Sequence, residues 1–235
     1  MTARYVGSEL ELFAAATNWK GYFAQALAPF IGARVLEVGS GLGNNIRHLH
    51  GPGVRDWISL EPDETLANHI ARRIAAGDLP PTCRVIAGTI ASIKPTDRFD
   101  TVLYIDVLEH IGDDAGELAA AAGALAPGGH LVVLAPAHQF LFSPFDAAIG
   151  HFRRYNVTTL AALTPPGCRL RARLMLDCAG LLASLANRLL LKAEMPSPRQ
   201  IAFWDRVLVP VSRRLDTITG RRFGKTVVAI WRREP

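Results

Sequence analysis

The segment Glu37-Val38-Gly39-Ser40-Gly41-Leu42-Gly43 sets a carboxylate two positions ahead of three alternating glycines. Glycine has no Cβ, so backbone built from it can pass close to a ligand. A carboxylate at that place repels a pyrophosphate but can hold a cation. The dinucleotide pattern would need glycine at position 44, and Asn44 stands there, which disfavours a nicotinamide oxidoreductase. Glu61, followed by Pro62, closes the apolar run that begins at Asp56. An acidic side chain at such a strand end can accept hydrogen bonds from both hydroxyls of a ribose. The plainer reading of Glu61 is a charged residue favoured by the positive end of the next helix.

A second polar cluster comprises Pro136-Ala137-His138, Phe145-Asp146 and Gly150-His151-Phe152-Arg153-Arg154-Tyr155. His151 is the first candidate for a general base and His138 the second, with Tyr155 beside them as a further catalytic candidate. Arg153 and Arg154 are expected to hold an acceptor carboxylate or phosphate through paired hydrogen bonds. The alternative is a structural loop in which Arg and Tyr bridge Asp146 and backbone. His110 reads as a structural histidine at a helix start. Asp106, Glu109, Asp113 and Asp114 raise the question of a metal, but acidic residues near a helix start have a simpler dipole explanation, so no metal is expected. Phe13, Trp19, Tyr22 and Phe23 are either a lid or the packed face of an amphipathic helix. Trp19 and Tyr22 share a face and are counted as substrate contacts.

These residues need elements to hold them. A helix is expected over Glu9–Pro29, and strands over Arg34–Val38, Asp56–Leu60, Arg84–Ala87, Phe99–Ile105 and His130–Ala135. Helices are expected over Asn44–His50, Asp63–Ala76 and Ala115–Leu125. Short apolar runs alternating with helices predict a mostly parallel sheet covered on both faces. After Pro136 the rhythm changes. A loop runs to Tyr155, then come a short helix near Val157–Leu163, a strand near Leu170–Leu176, helices over Cys178–Lys192 and Arg199–Ile218, and a last strand over Lys225–Trp231. One domain is expected over residues 1–235. Residues 33–136 would form its cofactor-binding core, with residues 1–32 and 137–222 as substrate or lid elements.

The chain has 235 residues, 49% hydrophobic and 20% charged, enough for one sizeable core and unlike a disordered chain. The net charge of +5 is uneven: from Arg206 onward eight Arg and Lys residues face only Asp216 and Glu234. That tail is either a solvated surface or a patch for lipid headgroups, a phosphorylated carrier or nucleic acid. Cys83, Cys168 and Cys178 form no metal spacing, which fits a reduced, cytoplasmic chain. The N-terminal residues lack the pattern of a signal peptide. Asp177, Asn187 and Arg188 interrupt the apolar stretch Leu174–Leu191, so no transmembrane span is expected.

Glu37–Gly43 resembles the first motif of class I S-adenosylmethionine-dependent methyltransferases. Asp106-Val107-Leu108-Glu109-His110-Ile111 is similar to their fourth-strand motif, and Leu125-Ala126-Pro127-Gly128-Gly129 to the turn before their fifth strand. The resemblance covers about residues 33–136 and is weaker beyond Pro136. It implies a Rossmann-like, doubly wound α/β fold with a seven-stranded, mostly parallel sheet whose last strand is antiparallel. It also implies S-adenosylmethionine as cofactor and S-adenosylhomocysteine as product. Glu37 would face the amino acid portion of the cofactor, over the backbone of Gly39, Ser40, Gly41 and Gly43. Glu61 would take the ribose hydroxyls, Pro62 would lie beside the adenine, and Asp106 would lie near the methyl group. Thr89 replaces the carboxylate that the family often uses for the adenine amino group. The expected activity is methyl transfer to an oxygen or nitrogen of a small-molecule acceptor, a carboxylate included. A lipid-linked or nucleic-acid acceptor and a non-catalytic cofactor-binding partner module stay open as alternatives. Nucleic acid is disfavoured because no Asn/Asp-Pro-Pro-aromatic motif follows the fourth strand. Peripheral membrane contact through Leu181–Leu191 and the basic tail stays open, as does the oligomeric state.

Overall fold

The computed structural model describes residues 9–186 and 197–235. Seven strands form one sheet: β1 Arg34–Val38, β2 Asp56–Glu61, β3 Cys83–Ala87, β4 Phe99–Ile105, β5 Leu125–Pro136, β6 Cys168–Leu176 and β7 Thr226–Arg233. Their spatial order is β3-β2-β1-β4-β5-β7-β6. The pairs from β3 through to β5 are parallel, and β7 runs antiparallel to both β5 and β6. This is the expected sheet.

Alternation along the strands explains why both faces are apolar. In β4, Leu103 and Ile105 pack on one face while Val102 and Tyr104 pack on the other. Val132 and Leu134 of β5, and Val228 and Ile230 of β7, join the first face; Leu131, Val133 and Trp231 join the second. Successive side chains of a strand point to opposite sides, so a continuous apolar run feeds two cores.

The helices are α1 Glu9–Ala14, α2 Thr17–Leu27, α3 Ile46–Leu49, α4 Glu64–Ala75, α5 Asp114–Gly123, α6 Pro144–Ala148, α7 Val157–Ala162, α8 Cys178–Ala186, α9 Pro198–Phe203 and α10 Val209–Ile218. The first helical stretch, α3 and the start of β5 differ from expectation. The first stretch breaks into α1 and α2 at Ala15–Ala16, and Lys20 Nζ closes the end of α1 by donating to the Phe13 carbonyl at 2.6 Å. α3 holds only four residues, and β5 starts at Leu125, running through the turn expected before it. A π-helical turn, Trp204–Leu208, joins α9 to α10, so residues 198–218 form one helical rod.

Three buried aspartates fasten this helical layer together. The N-terminus of α2 has no cap of its own, and Asp205 supplies one by accepting from Trp19 N at 2.8 Å and from Asn18 N. Asp216 accepts from Asp177 N and Cys178 N at the start of α8, and from Tyr22 Oη at 2.7 Å. Asp177 accepts from Gly180 N, from Ser212 Oγ at 2.6 Å and from Trp204 Nε1 at 2.7 Å. Asp205 and Asp216 satisfy orphan amides of helix starts far from them in sequence, while Asp177 caps its own helix, α8, and ties it to Trp204 and Ser212.

Candidate active site

The glycine loop begins where β1 ends. Gly39 N and Ser40 N both donate to the Leu60 carbonyl on β2, and Gly43 N closes a turn onto Ser40 O. Gly39 sits at φ 68°, and a Cβ there would lie 2.6 Å from Val107 Cγ2. Only glycine meets both constraints. From α4, Arg73 pins the loop by donating to Leu42 O and Asn44 Oδ1.

Glu37 lies buried beneath this loop. Its Oε1 accepts from Asn45 Nδ2 at 3.0 Å, while its Oε2 has no hydrogen-bond partner within geometric range among the described residues. Burial pushes the carboxyl up to about 7, against the pull of Asn45, Ser40 and Trp57. Glu61 ends β2 and accepts from Gly41 N at 2.7 Å and Asp63 N at 3.0 Å. Burial raises this carboxyl as well, with the two amides acting in the other direction. Thus Glu61 ties the glycine loop to the start of α4.

The other side of the loop forms the floor of a cavity of about 290 Å³. Gly39, Ser40 and Gly41 line it from β1, Asp106 from the end of β4, and Phe13, Trp19, Phe23 and Trp204 from above. Trp19 makes edge contacts with Phe23 at 5.6 Å and packs against Trp204 at 5.7 Å. Asp106 adopts φ 54°, a left-handed conformation that costs a non-glycine residue on the order of 1 kcal/mol. Strained backbone of this kind concentrates where a side chain must be aimed.

Glu109, His110, Asp146, His151 and Arg154 make the polar wall. His151 Nδ1 lies 3.0 Å from Asp146 Oδ1, and its Nε2 lies 3.9 Å from Glu109 Oε1. Asp146 also takes Nε and Nη2 of Arg154 and both the amide and the hydroxyl of Ser143. Burial alone would raise the Asp146 carboxyl, but His151, Arg154 and Ser143 bring it down to about 2. The His110 ring meets that of His151 edge-on at 4.5 Å. Burial, and then the neighbouring His151, lower His110 to about 4, so it is neutral near pH 7. Glu109 is fully buried, and among the described residues neither of its carboxylate oxygens has a hydrogen-bond partner. Burial first, and then Asp106, push it well above the usual carboxylate range.

The structure therefore gathers His151, Arg154, Trp19, Asp106, Gly39, Ser40 and Gly41 around one cavity. Gly43, Glu37, Glu61, Pro62 and Thr89 lie outside its lining. The other expected residues have different surroundings. His138 Nε2 is 2.9 Å from the Gly224 carbonyl, away from the wall. Tyr155 Oη donates to Asp114 at 2.8 Å, and burial raises its pKa. Arg153 is held by Asp114 and by the carbonyls of Ile111 and Gly112. Tyr22 points to Asp216 and lines a separate groove with Arg213, Arg214 and Arg221. Asn45, Lys20 and Trp204 were not foreseen. A polar residue just past the glycine loop was the available signal for Asn45; Lys20 and Trp204 gave none.

A family profile described as a methyltransferase domain matches residues 12–203. The tRNA U34 carboxymethyltransferase of Methylococcus capsulatus is 35% identical over 109 residues, covering 46% of this chain and 33% of that protein. The ubiquinone biosynthesis O-methyltransferase of Rhodopseudomonas palustris is 33% identical over 112 residues, covering 47% and 42%. The matches thus span less than half the length of these relatives. Among solved structures, the [4+2]-cyclase SpnF superposes with a TM-score of 0.63 at 14% identity, covering 97% of this chain and 94% of the other. A methyltransferase solved with the Haloferax volcanii Trm112 activator gives 0.62 at 15% identity, covering 98% and 100%. These likenesses show the fold, and a cyclase among them shows that the fold does not fix the reaction.

Proposed function

We propose that this chain, which belongs to the methyltransferase-domain family, uses S-adenosylmethionine to methylate an oxygen or nitrogen of a small-molecule acceptor held in the 290 Å³ cavity. One observation carries this reading. A single cavity has the glycine loop as its floor and the Asp106–Glu109–His151–Arg154 wall at its side. The residues present fit the cofactor. Gly39, Gly41 and Gly43 hold the loop at positive φ with no side chain between backbone and cavity, and the buried oxygen of Glu37 that lacks a hydrogen bond suits a cationic amino group. Glu37 would hold the amino acid portion, Glu61 and Thr89 the nucleoside, and Pro62 the adenine face. When bound, the cofactor supplies an electrophilic methyl carbon, whose bond to sulfur breaks as the acceptor's lone pair forms the new bond.

The rest falls to this chain. The aromatic roof excludes water, and the wall orients the acceptor, which is the largest contribution such a reaction needs from protein. Asp146 fixes the ring of His151, so that Nε2 faces the acceptor side and assists loss of its proton. Replacing His151 with Ala is expected to lower kcat by roughly a hundredfold for a hydroxyl or ammonium acceptor, and to leave a carboxylate acceptor unaffected. Calorimetric titration with S-adenosylmethionine, S-adenosylhomocysteine and NAD tests the cofactor assignment. Binding of the first two, lost in a folded Glu61→Ala variant and absent for NAD, supports it; no binding of either sulfur ligand sinks it.

A lipid-linked acceptor is the second reading, favoured by one surface. Phe203, Val207, Val211, Leu215 and Ile218 are exposed along one rod, with Ile218 80% exposed. Arg206, Arg213 and Arg214 are exposed on the same rod, and Phe223 and Leu182 are exposed beside it. An apolar stripe edged by arginines suits an anionic bilayer surface. Among the described residues no helix is long and apolar enough to cross a membrane. Of the expected docking segment Leu181–Leu191, residues 187–191 lie outside the described residues. Flotation with vesicles of phosphatidylglycerol, lost in Val211→Ser/Ile218→Ser, supports this reading. No association at low salt removes it.

A further inference from the structure

We propose that Glu109, His110 and His151 bind a divalent cation, and that the acceptor reaches this cation through an oxygen. The inference deepens the methyl-transfer reading and rests on it for the acceptor, though not for the cation. No metal is expected from sequence, because the spacing of Asp106, Glu109, Asp113 and Asp114 is that of ordinary helix-start acids.

Geometry changes this. Glu109, His110 and His151 can each offer one ligand atom, and these atoms all lie within 4.8 Å of one another. A carboxylate and two imidazoles form a donor set that suits first-row divalent ions such as Zn²⁺ or Mn²⁺. Metal–ligand distances near ~2.1 Å would require the three atoms to close by about an ångström, a side-chain adjustment at a cavity wall.

The second observation is Glu109 itself. It is fully buried, neither oxygen is hydrogen-bonded among the described residues, and it lines the cavity. A buried carboxyl group whose oxygens lack hydrogen bonds is unfavourable, and a cation would supply the missing partner. The surroundings are also those of a ligand set. His151 Nδ1 is engaged by Asp146 at 3.0 Å, which turns Nε2 toward Glu109. Asp146 is itself held by Arg154 and Ser143. A carboxylate behind a histidine fixes the ring and raises its basicity as a ligand. Coordination positions left open toward the cavity would take one or two acceptor oxygens, beside Asp106. His151 would then assist the acceptor's proton loss as a ligand, through the cation.

The test uses the full chain, stripped with chelator and titrated with Zn²⁺ alone and Mn²⁺ alone by calorimetry, with bound metal counted by mass spectrometry. One equivalent of one ion should bind, and its affinity should fall at least roughly tenfold in Glu109→Gln and in His151→Ala. Asp146→Asn should also weaken binding, by about tenfold. Thermal melts confirm that each variant is folded. No saturable binding to the folded protein, or unchanged affinity in Glu109→Gln, overturns the site. In that case S-adenosylmethionine binding by the stripped protein leaves the methyl-transfer reading intact, with His151 as a plain base. Metal binding without cofactor binding sinks only the methyl-transfer reading.

Discussion

Buried carboxylates serve opposite ends in the two regions of this molecule. Along the carboxyl edge of the sheet, Glu37 and Glu109 are almost inaccessible yet leave oxygens without partners. In the helical layer that covers that edge, Asp177, Asp205 and Asp216 are equally buried, and each takes two or more donors. Burial is the same and saturation differs. Unmade hydrogen bonds in a low-dielectric interior are expensive, so they persist where a ligand can complete them. Saturated aspartates hold architecture, and the unsaturated glutamates are the positions we propose a ligand completes.

The largest effect should come from the saturated set. Asp216→Ala strands Tyr22 Oη, Asp177 N and Cys178 N. The expected loss is about 4 kcal/mol, read as a fall of roughly 10 °C in Tm. A single sharp transition would mean that sheet and helical layer fold as one unit. Two transitions would mean that the layer melts by itself and the contrast is between separable parts.

Glu37 should respond in the opposite direction. Its carboxyl is raised from the ordinary 4.5 to about 7 in the folded chain. The folded state therefore holds a proton that the unfolded state has released between those pH values, and stability falls as pH rises through this window. Glu37→Gln removes the penalty. It should stabilise the protein at pH 8 by up to about 3 kcal/mol, with the gain vanishing near pH 4, while cofactor affinity drops. A variant less stable than the parent at pH 8 would show that Glu37 is a structural carboxylate after all.

Thr89 sharpens the comparison at its weakest point. It is exposed outside the cavity, and its amide rests on Ser92 Oγ at 3.3 Å. If its hydroxyl meets the adenine, Thr89→Val should raise the cofactor Kd about fivefold, equivalent to one neutral hydrogen bond. An unchanged Kd would remove it from the site.

What was legible in the sequence follows the same division. The strands, the glycine loop and the ends of β1 and β2 are written in contiguous residues, since a buried parallel strand is a local apolar run and a tight turn needs local glycine. The break between α1 and α2, the aspartate caps and the convergence of Glu109 with His151 depend on partners distant along the chain. Asp205 lies 186 residues from the amide of Trp19 that it accepts. A faint sign existed: Asp177 and Asp205 each interrupt an otherwise apolar helical or strand-end stretch, as a lone acid there does when it caps another element. Glu109 gave no such sign, because Leu-Glu-His reads as an ordinary helix start.

The placement of β7 between β5 and β6 has a consequence for synthesis. Both neighbours emerge from the ribosome before it, yet β6 pairs with β7 alone. β6 and one edge of β5 must therefore wait, unpaired, until residues 226–233 arrive. Such late, long-range closure is slow and leaves sticky edges exposed. The arginines at alternate positions of β6, Arg169, Arg171 and Arg173, give the waiting strand a charge that resists pairing with the wrong partner.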